Sequence, residues 1–114
     1  MTTPPDSGPE DELFLSLLSL APAGVAQWQS RRLDANLNGR VFGGQLLAHA
    51  VVAAHCSSPA RHLASLRLGF LQGALPDAPI HWAASTLQEG SRITTHRLRA
   101  TQGRRIIAEA QVSL

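Results

Sequence analysis

Lysine and tyrosine are absent from this chain, cysteine occurs once, and aromatic residues make up only 4% of its 114 positions. Each scarcity excludes something. The single thiol, Cys56, permits neither an internal disulfide nor a cysteine metal quartet, and it fits a reducing compartment, for which the cytoplasm is the default expectation. With so few aromatics, small aliphatic side chains must fill the core, and nothing supplies a stacking platform for nucleic-acid bases. Ten basic residues, all arginine, stand against eight acidic ones, so the formal charge is only +2. No basic run exceeds two residues (Arg31-Arg32, Arg104-Arg105), and no nucleic-acid partner is expected.

Long hydrophobic runs are missing too. The longest, after Gly44, is interrupted by His49 and falls well short of the ~18–20 residues that span a bilayer, so no membrane partner is expected. Residues 1–10 are rich in proline, serine, threonine and acid, and lack the basic and apolar regions of a signal peptide. A disordered tail is expected there. Residues 11–114 then form one domain, whose core is small enough that association with a second copy should add to its burial.

What is present sorts into one helix-rich half and one strand-rich half. Asp11-Glu12 precede a leucine-rich stretch that Pro22 and Gly24 stop, which predicts a short helix with acid at its N-terminus. Val25 to Ser30 alternates apolar and polar residues as a first strand does, and a loop through Asp34, Asn36, Asn38 and Gly39 follows. Gly43-Gly44 then open a helix on which almost every position from Phe42 to Ala54 is apolar or small, the pattern of a helix buried on most of its circumference. Only Gln45, His49 and Cys56 break it, and their spacing places them on one face. Ser57-Ser58-Pro59 ends the helix. Four strand-like segments come next, at about 62–72, 79–88, 91–101 and 104–114, separated by glycine-containing turns.

The last hairpin allows a sharper expectation. With a three-residue loop, Thr101-Gln102-Gly103, Ala100 pairs with Arg104, and His96, Leu98, Ala100, Ile106, Ala108 and Ala110 share one face. Thr95, Arg97, Arg99, Ile107, Glu109 and Gln111 share the other. The first face is rich in small residues, as it must be where a helix lies across it. One helix wrapped by a curved antiparallel sheet of about five strands, with a short N-terminal helix, is the single hotdog fold, of the α+β class. No second helix covers the outer sheet face, which is expected to be partly buried in a partner.

Arg40-Val41-Phe42-Gly43-Gly44-Gln45-Leu46-Leu47-Ala48 resembles the R-V-F-G-G-Q segment in the N-terminal half of the acyl-CoA thioesterase II family, the double-hotdog thioesterases. Further matches are the Ser65-to-Leu71 strand, Leu87-Gln88-Glu89-Gly90-Ser91, and Gln102-x-Gly with the apolar strand after it. The resemblance runs from about residue 12 to 114. It implies the hotdog fold, the glycine-led helix and an acyl-CoA or other acyl thioester as substrate, with no cofactor. In that family a second hotdog carries the Asp, Ser or Thr, and Gln that orient the attacking water, so those roles are not carried onto this chain. Where the family's first half often has a histidine, this chain has Arg67.

Thioester hydrolysis needs a polarised carbonyl, a positioned water and a proton acceptor. Gly43 and Gly44 offer backbone N–H donors at the positive end of the helix; equally, two glycines would let the helix pack closely on the sheet. The long helix contains no Asp or Glu, so Asp34, in the loop ahead of it, is the candidate base ahead of Glu109 on a strand and His49 one turn beyond Gln45, with an Asx-turn residue as the plainer reading of Asp34. Gln45 is the candidate for orienting water or the carbonyl, or else for capping the helix. Asp34, Gly44 and Gln45 are therefore the expected catalytic set. Phe42, Gly43, His49 and Arg67 are the expected substrate-binding set, with Arg67, Arg97 and Arg99 as guanidinium partners for coenzyme A phosphates. No metal site is expected, because His and Cys do not cluster at ligand spacing. These residues point to an acyl-CoA thioesterase-like homodimer, or to a catalytically silent acyl-thioester-binding or scaffolding hotdog that pairs with a separate catalytic partner. A hotdog hydratase is disfavoured, since the Asp-x-x-x-x-His pattern is missing at Asp34.

Overall fold

The computed structural model describes residues 15–114. The N-terminal tail and the acidic start of the first predicted helix lie outside the described residues. Six strands form one antiparallel sheet: β1 (Leu20–Gly24), β2 (Gln27–Ser30), β3 (Ser65–Phe70), β4 (His81–Glu89), β5 (Thr94–Gln102) and β6 (Arg105–Ser113), in the spatial order β1-β2-β4-β5-β6-β3. The helix α1 (Gly43–Ser57) lies across one face of that sheet. This is the expected α+β hotdog, with one strand more than the sequence suggests.

The extra strand is β1. Pro22 and Gly24 read as helix-stopping signals, yet among the described residues the helix ends already at residue 18, and the chain is extended from Leu20. An edge strand tolerates proline because one side of its backbone has no ladder to satisfy. Val25 and Ala26, expected to begin the first strand, instead form the turn of the β1–β2 hairpin, with Ala26 at φ 52°.

Burial along α1 follows a helical face: Gln45, Leu46, His49, Ala50, Ala53 and Ala54 are covered. Three alanines on that face let the axis approach the sheet, where Trp82, Leu98, Ala100, Ala108, Ala110 and Val112 complete the core. Each large aliphatic side chain buried there contributes about 1.5–3 kcal/mol. Cys56, expected on the face of Gln45 and His49, is exposed. Gln45 and His49 are covered by the helical turn at 15–18, which both of them bond, and Cys56 sits about 10 Å further along the axis.

The β5–β6 hairpin differs from expectation in one informative way. Gln102 pairs with Arg105, so the loop is two residues long, Gly103-Arg104, with Gly103 at φ 59°. The ladder then shifts: Thr101 faces Ile106, while Ala100 faces Ala108. Ile107 is the extra residue of a β-bulge, and its side chain turns inward to full burial while Ile106 takes the outer side. Beyond the bulge the expected faces hold, with His96 opposite Val112 and Leu98 opposite Ala110 inside, and Arg99 opposite Glu109 outside. The freed Ile107 carbonyl accepts both the Leu71 and Gln72 N–H groups. The bulge thereby fixes the segment after β3 against the start of α1, where Ala74 O accepts the Val41 N–H.

Candidate functional site

The start of α1 has no side-chain cap. Phe42, at φ −59° and ψ 134°, is the N-cap residue, and its carbonyl accepts the N–H groups of Gln45 and Leu46 at 3.1 and 3.4 Å. The Gly43 and Gly44 N–H groups are left without acceptors among the described residues. The two glycines differ. A Cβ on Gly43 would lie 3.0 Å from Cζ of Phe70, whereas a Cβ on Gly44 would meet nothing within 4 Å among the described residues. Close packing therefore accounts for Gly43 only. Gly44 is exposed and open.

Gln45 is 9% exposed and fully engaged. Its Oε1 accepts the Asp34 N–H at 2.9 Å, and its Nε2 donates to Leu17 O and Arg32 O at 2.8 and 2.7 Å. The amide thus ties the loop before the helix, and the helical turn at 15–18, to the first turn of α1. Asp34 is held from both sides, since its own carbonyl accepts the Phe42 N–H at 3.3 Å. Its side-chain Oδ1 accepts the N–H of the next residue, Ala35, at 2.9 Å, not that of the residue two on as in an Asx-turn, and the residue is exposed. The structure therefore brings Asp34, Phe42, Gly43, Gly44 and Gln45 to one place.

His49 lies one turn further on, with no exposed surface. Its Nε2 is 2.7 Å from Leu17 O, and a carbonyl can only accept, so the proton sits on Nε2. Burial lowers the pKa of the ring, with the Leu17 bond opposing, and the imidazole is neutral at pH 7. Among the described residues Nδ1 has no partner, nor has Nε1 of Trp82, whose ring meets His49 edge-on at 6.4 Å between centroids. Arg67 stands elsewhere. It pairs with Gln111 on β3–β6, where Leu66 and Leu68 face inward, so its side is the outer sheet surface away from α1. There Arg99 and Arg97 bind Glu109, Arg99 Nε donating at 2.7 Å, and the Arg99 bond foremost lowers the Glu109 pKa.

Beside Gly43 lies a groove of about 370 Å³, lined by Val41, Leu46, Phe70, Leu71 and the 72–74 segment. Phe70 and Leu71 are 54% and 59% exposed. Both lie in the Ser65-to-Leu71 match and carry no role from it; exposed apolar residues where an edge strand ends are the signal that marks them. Two arginines close over the same segment. Arg40 lies so near Gly73 that a Cβ there would be 2.8 Å from its Cδ, and Arg105 donates to Gln72 Oε1 and Gly73 O at 3.1 and 2.9 Å.

At the other end of α1, His96 links helix to sheet, with Ser58 Oγ 2.8 Å from Nε2 and Thr86 Oγ1 3.2 Å from Nδ1. Burial lowers its pKa, against the opposing charge of Glu89. Among the described residues no group of three His, Cys, Asp or Glu side chains is placed to hold a metal ion, and no helix is long and apolar enough to cross a membrane. Chemically, the helix start combines two amide donors, an exposed carboxylate and an apolar groove.

Known proteins share this architecture. A family model for the acyl-CoA thioesterase N-terminal domain matches residues 32–114. Mouse acyl-coenzyme A thioesterase 8 is 28% identical over 102 residues, 89% of this chain and 32% of the mouse protein. The solved tesB protein of Mycobacterium avium subs paratuberculosis superposes with a TM-score of 0.83 at 25% identity, covering 90% of this chain and 41% of that one. The smu.793 protein of Streptococcus mutans UA159, solved bound to acetyl CoA, shares the fold at a TM-score of 0.73 and 11% identity, over 82% of this chain and 83% of that one. The chain thus spans about a third of the length of the mouse relative. Through the glycine-led helix and the strands that follow it, this chain belongs to the acyl-CoA thioesterase N-terminal domain family.

Proposed function

We propose that this protein takes an acyl-CoA or related acyl thioester at the start of α1 and acts as an acyl-CoA thioesterase-like hydrolase. One observation carries the reading: the Gly43 and Gly44 N–H groups stand unpartnered at an uncapped helix start, beside an apolar groove. A thioester carbonyl oxygen gains negative charge as water attacks it, and two preorganised amides at the positive end of a helix stabilise that charge. Asp34 is the group at hand to accept the proton from water. Gln45 keeps Asp34 beside the amides, and buried His49 holds the turn that Gln45 also grips, so both act as positioning residues. Phe42, Gly43 and the groove receive the acyl portion. Arg67, on the far side of the sheet, is outside this arrangement.

A homodimer belongs to the same reading. β3 is an edge strand, and it ends at exposed Phe70, followed by exposed Leu71, so pairing with a second copy would cover both. Cytoplasmic residence and a role in fatty acid metabolism go with it, and the lone free thiol of Cys56 fits a reducing compartment. The runner-up, a silent half that binds the thioester and pairs with a separate catalytic partner, is favoured by α1 itself, which carries no Asp or Glu between Gly43 and Ser57.

The test is free-thiol release by the purified protein across a panel of acyl-CoAs, beside Asp34→Asn. Turnover in the wild type, lost in the variant, is the expected result. Ligand binding without turnover across the panel would select the silent reading, and wild-type rates in Asp34→Asn would remove the carboxylate from the mechanism.

A further inference from the structure

The segment after β3 is where two cations meet one apolar groove. Arg40 precedes α1 and Arg105 opens β6, yet both converge on Gly73, Arg40 packing over its Cα and Arg105 bonding its carbonyl. A Cβ there would sit 2.8 Å from Arg40 Cδ, so a larger residue would displace the Arg40 side chain from this place. Neither guanidinium has a carboxylate partner among the described residues, where the ion pairs are those of Arg97 and Arg99 with Glu109. The Gly73 backbone also lines the groove that begins at Gly43, so the two cations flank the space beside the unpartnered amides. Charge and shape together select an occupant with an apolar tail and an anionic end.

We propose that Arg40 and Arg105 form a phosphate-recognising clamp at the rim of the acyl groove, binding the phosphate of the thioester's carrier arm. The inference rests on the reading of α1 as a thioester site and adds the part of the ligand that distinguishes one thiol carrier from another. Guanidinium groups suit phosphate oxygens because their paired N–H donors match the oxygen spacing. Arg105 is held by Gln72 and Gly73 and is therefore already oriented, whereas among the described residues the Arg40 side chain has only a 3.4 Å hydrogen bond to Gly39 O and is able to close on a ligand. The outer-face arginines are poorer candidates, because Arg97 and Arg99 are engaged by Glu109 and Arg67 lies with them across the sheet.

Binding of three non-hydrolysable thioethers tests the clamp: S-octyl-CoA, S-octyl-phosphopantetheine and S-octyl-pantetheine, which share a tail and differ in phosphate. The wild type should bind the CoA ligand at least about tenfold more tightly than the pantetheine ligand, and added salt should narrow the gap. A phosphopantetheine ligand as tight as the CoA ligand assigns the clamp to the phosphate nearest the thiol; one as weak as pantetheine assigns it to the remaining CoA phosphates. Either result shows that a phosphate contributes to binding, and the arginine variants locate it. Arg40→Gln and Arg105→Gln should each remove about tenfold from the phosphate-bearing ligands while leaving pantetheine affinity within about twofold. Arg67→Gln should change none of the three. Should Arg105→Gln fail to fold, Arg40→Gln decides, as its side chain anchors no other segment.

Equal wild-type affinity for all three ligands, or unchanged discrimination in Arg40→Gln, overturns the clamp but leaves the thioester site standing. Failure of the wild type to bind any of them, S-octyl-pantetheine included, overturns the thioester site and the clamp with it.

Discussion

Replacing Gly44 by alanine separates a glycine kept for packing from one kept for chemistry. At most helix positions alanine is the better residue, because glycine loses more backbone freedom on folding; where the backbone angles suit both, the exchange stabilises by about 0.4–1 kcal/mol. Gly44 is helical, exposed, and has nothing within 4 Å of where its Cβ would stand, so no clash offsets that gain. For a domain of this size the melting temperature should rise by about 2–6 °C. The same methyl group leans toward the helix N-terminus and intrudes on the approach to the Gly43 and Gly44 N–H groups. Loss of one oxyanion donor typically costs about 10²–10³ in rate, and partial obstruction should cost about 10–100-fold. Thermal melts followed by circular dichroism, run beside acyl-CoA turnover, give both numbers from one preparation. A variant that is more stable and slower is expected. One that is less stable would mean that Gly44 packs against something, and one that is more stable with wild-type turnover would mean that these amides do not meet the substrate. Gly43→Ala is the control: its Cβ would press on Phe70 Cζ at 3.0 Å, so the propensity gain should be offset and the melting temperature should move little.

Other perturbations address the parts around the amides. Asp34→Asn should lower turnover by about 10²–10⁴-fold while leaving affinity for S-octyl-CoA near wild type, measured by calorimetry and thiol release together. Gln45→Leu strands the Leu17 and Arg32 carbonyls and the Asp34 N–H, and should destabilise the fold by about 2–3 kcal/mol in urea titrations, with turnover falling further than stability explains. His49 and His96 both have pKa values lowered by burial, so the unfolded chain holds more protons than the native one in mildly acidic solution. Their contribution is complete above the ordinary histidine pKa of about 6.5 and is lost as pH falls from there through the depressed native values. For buried His49 the slope is bounded by the one-proton limit of about 1.4 kcal/mol per pH unit, and His49→Gln should flatten it in denaturation curves taken between about pH 5 and 8. Introducing Phe70→Glu at the end of β3 should shift sedimentation toward monomer if that edge joins two copies.

The helix and most strands were legible because their signals are local. A glycine pair followed by small apolar residues marks α1, and period-two alternation marks β4, β5 and β6. What the sequence concealed depends on contacts made across the chain. Leu20 to Gly24 carries the breakers of a helix end, and only its place at the sheet edge makes it a strand. A bulge at Ile107 exchanges the faces of two adjacent isoleucines, which composition alone cannot distinguish. Gln45 reads as a catalytic amide until its bonds to Leu17 and Arg32 are seen to occupy both donors. The outward direction of Arg67 was open to inference, since Leu66 and Leu68 on either side of it are the inward pair. The meeting of Arg40 and Arg105 at Gly73 joins distant parts of the chain, and no local pattern announces it.

The most direct measurement is the amide spectrum of ¹⁵N-labelled protein titrated with S-octyl-CoA. Saturable downfield movement of the Gly43 and Gly44 N–H protons, larger than that of the exposed outer-face amides, is the result this account requires. Saturable binding that leaves those two resonances unmoved would contradict it.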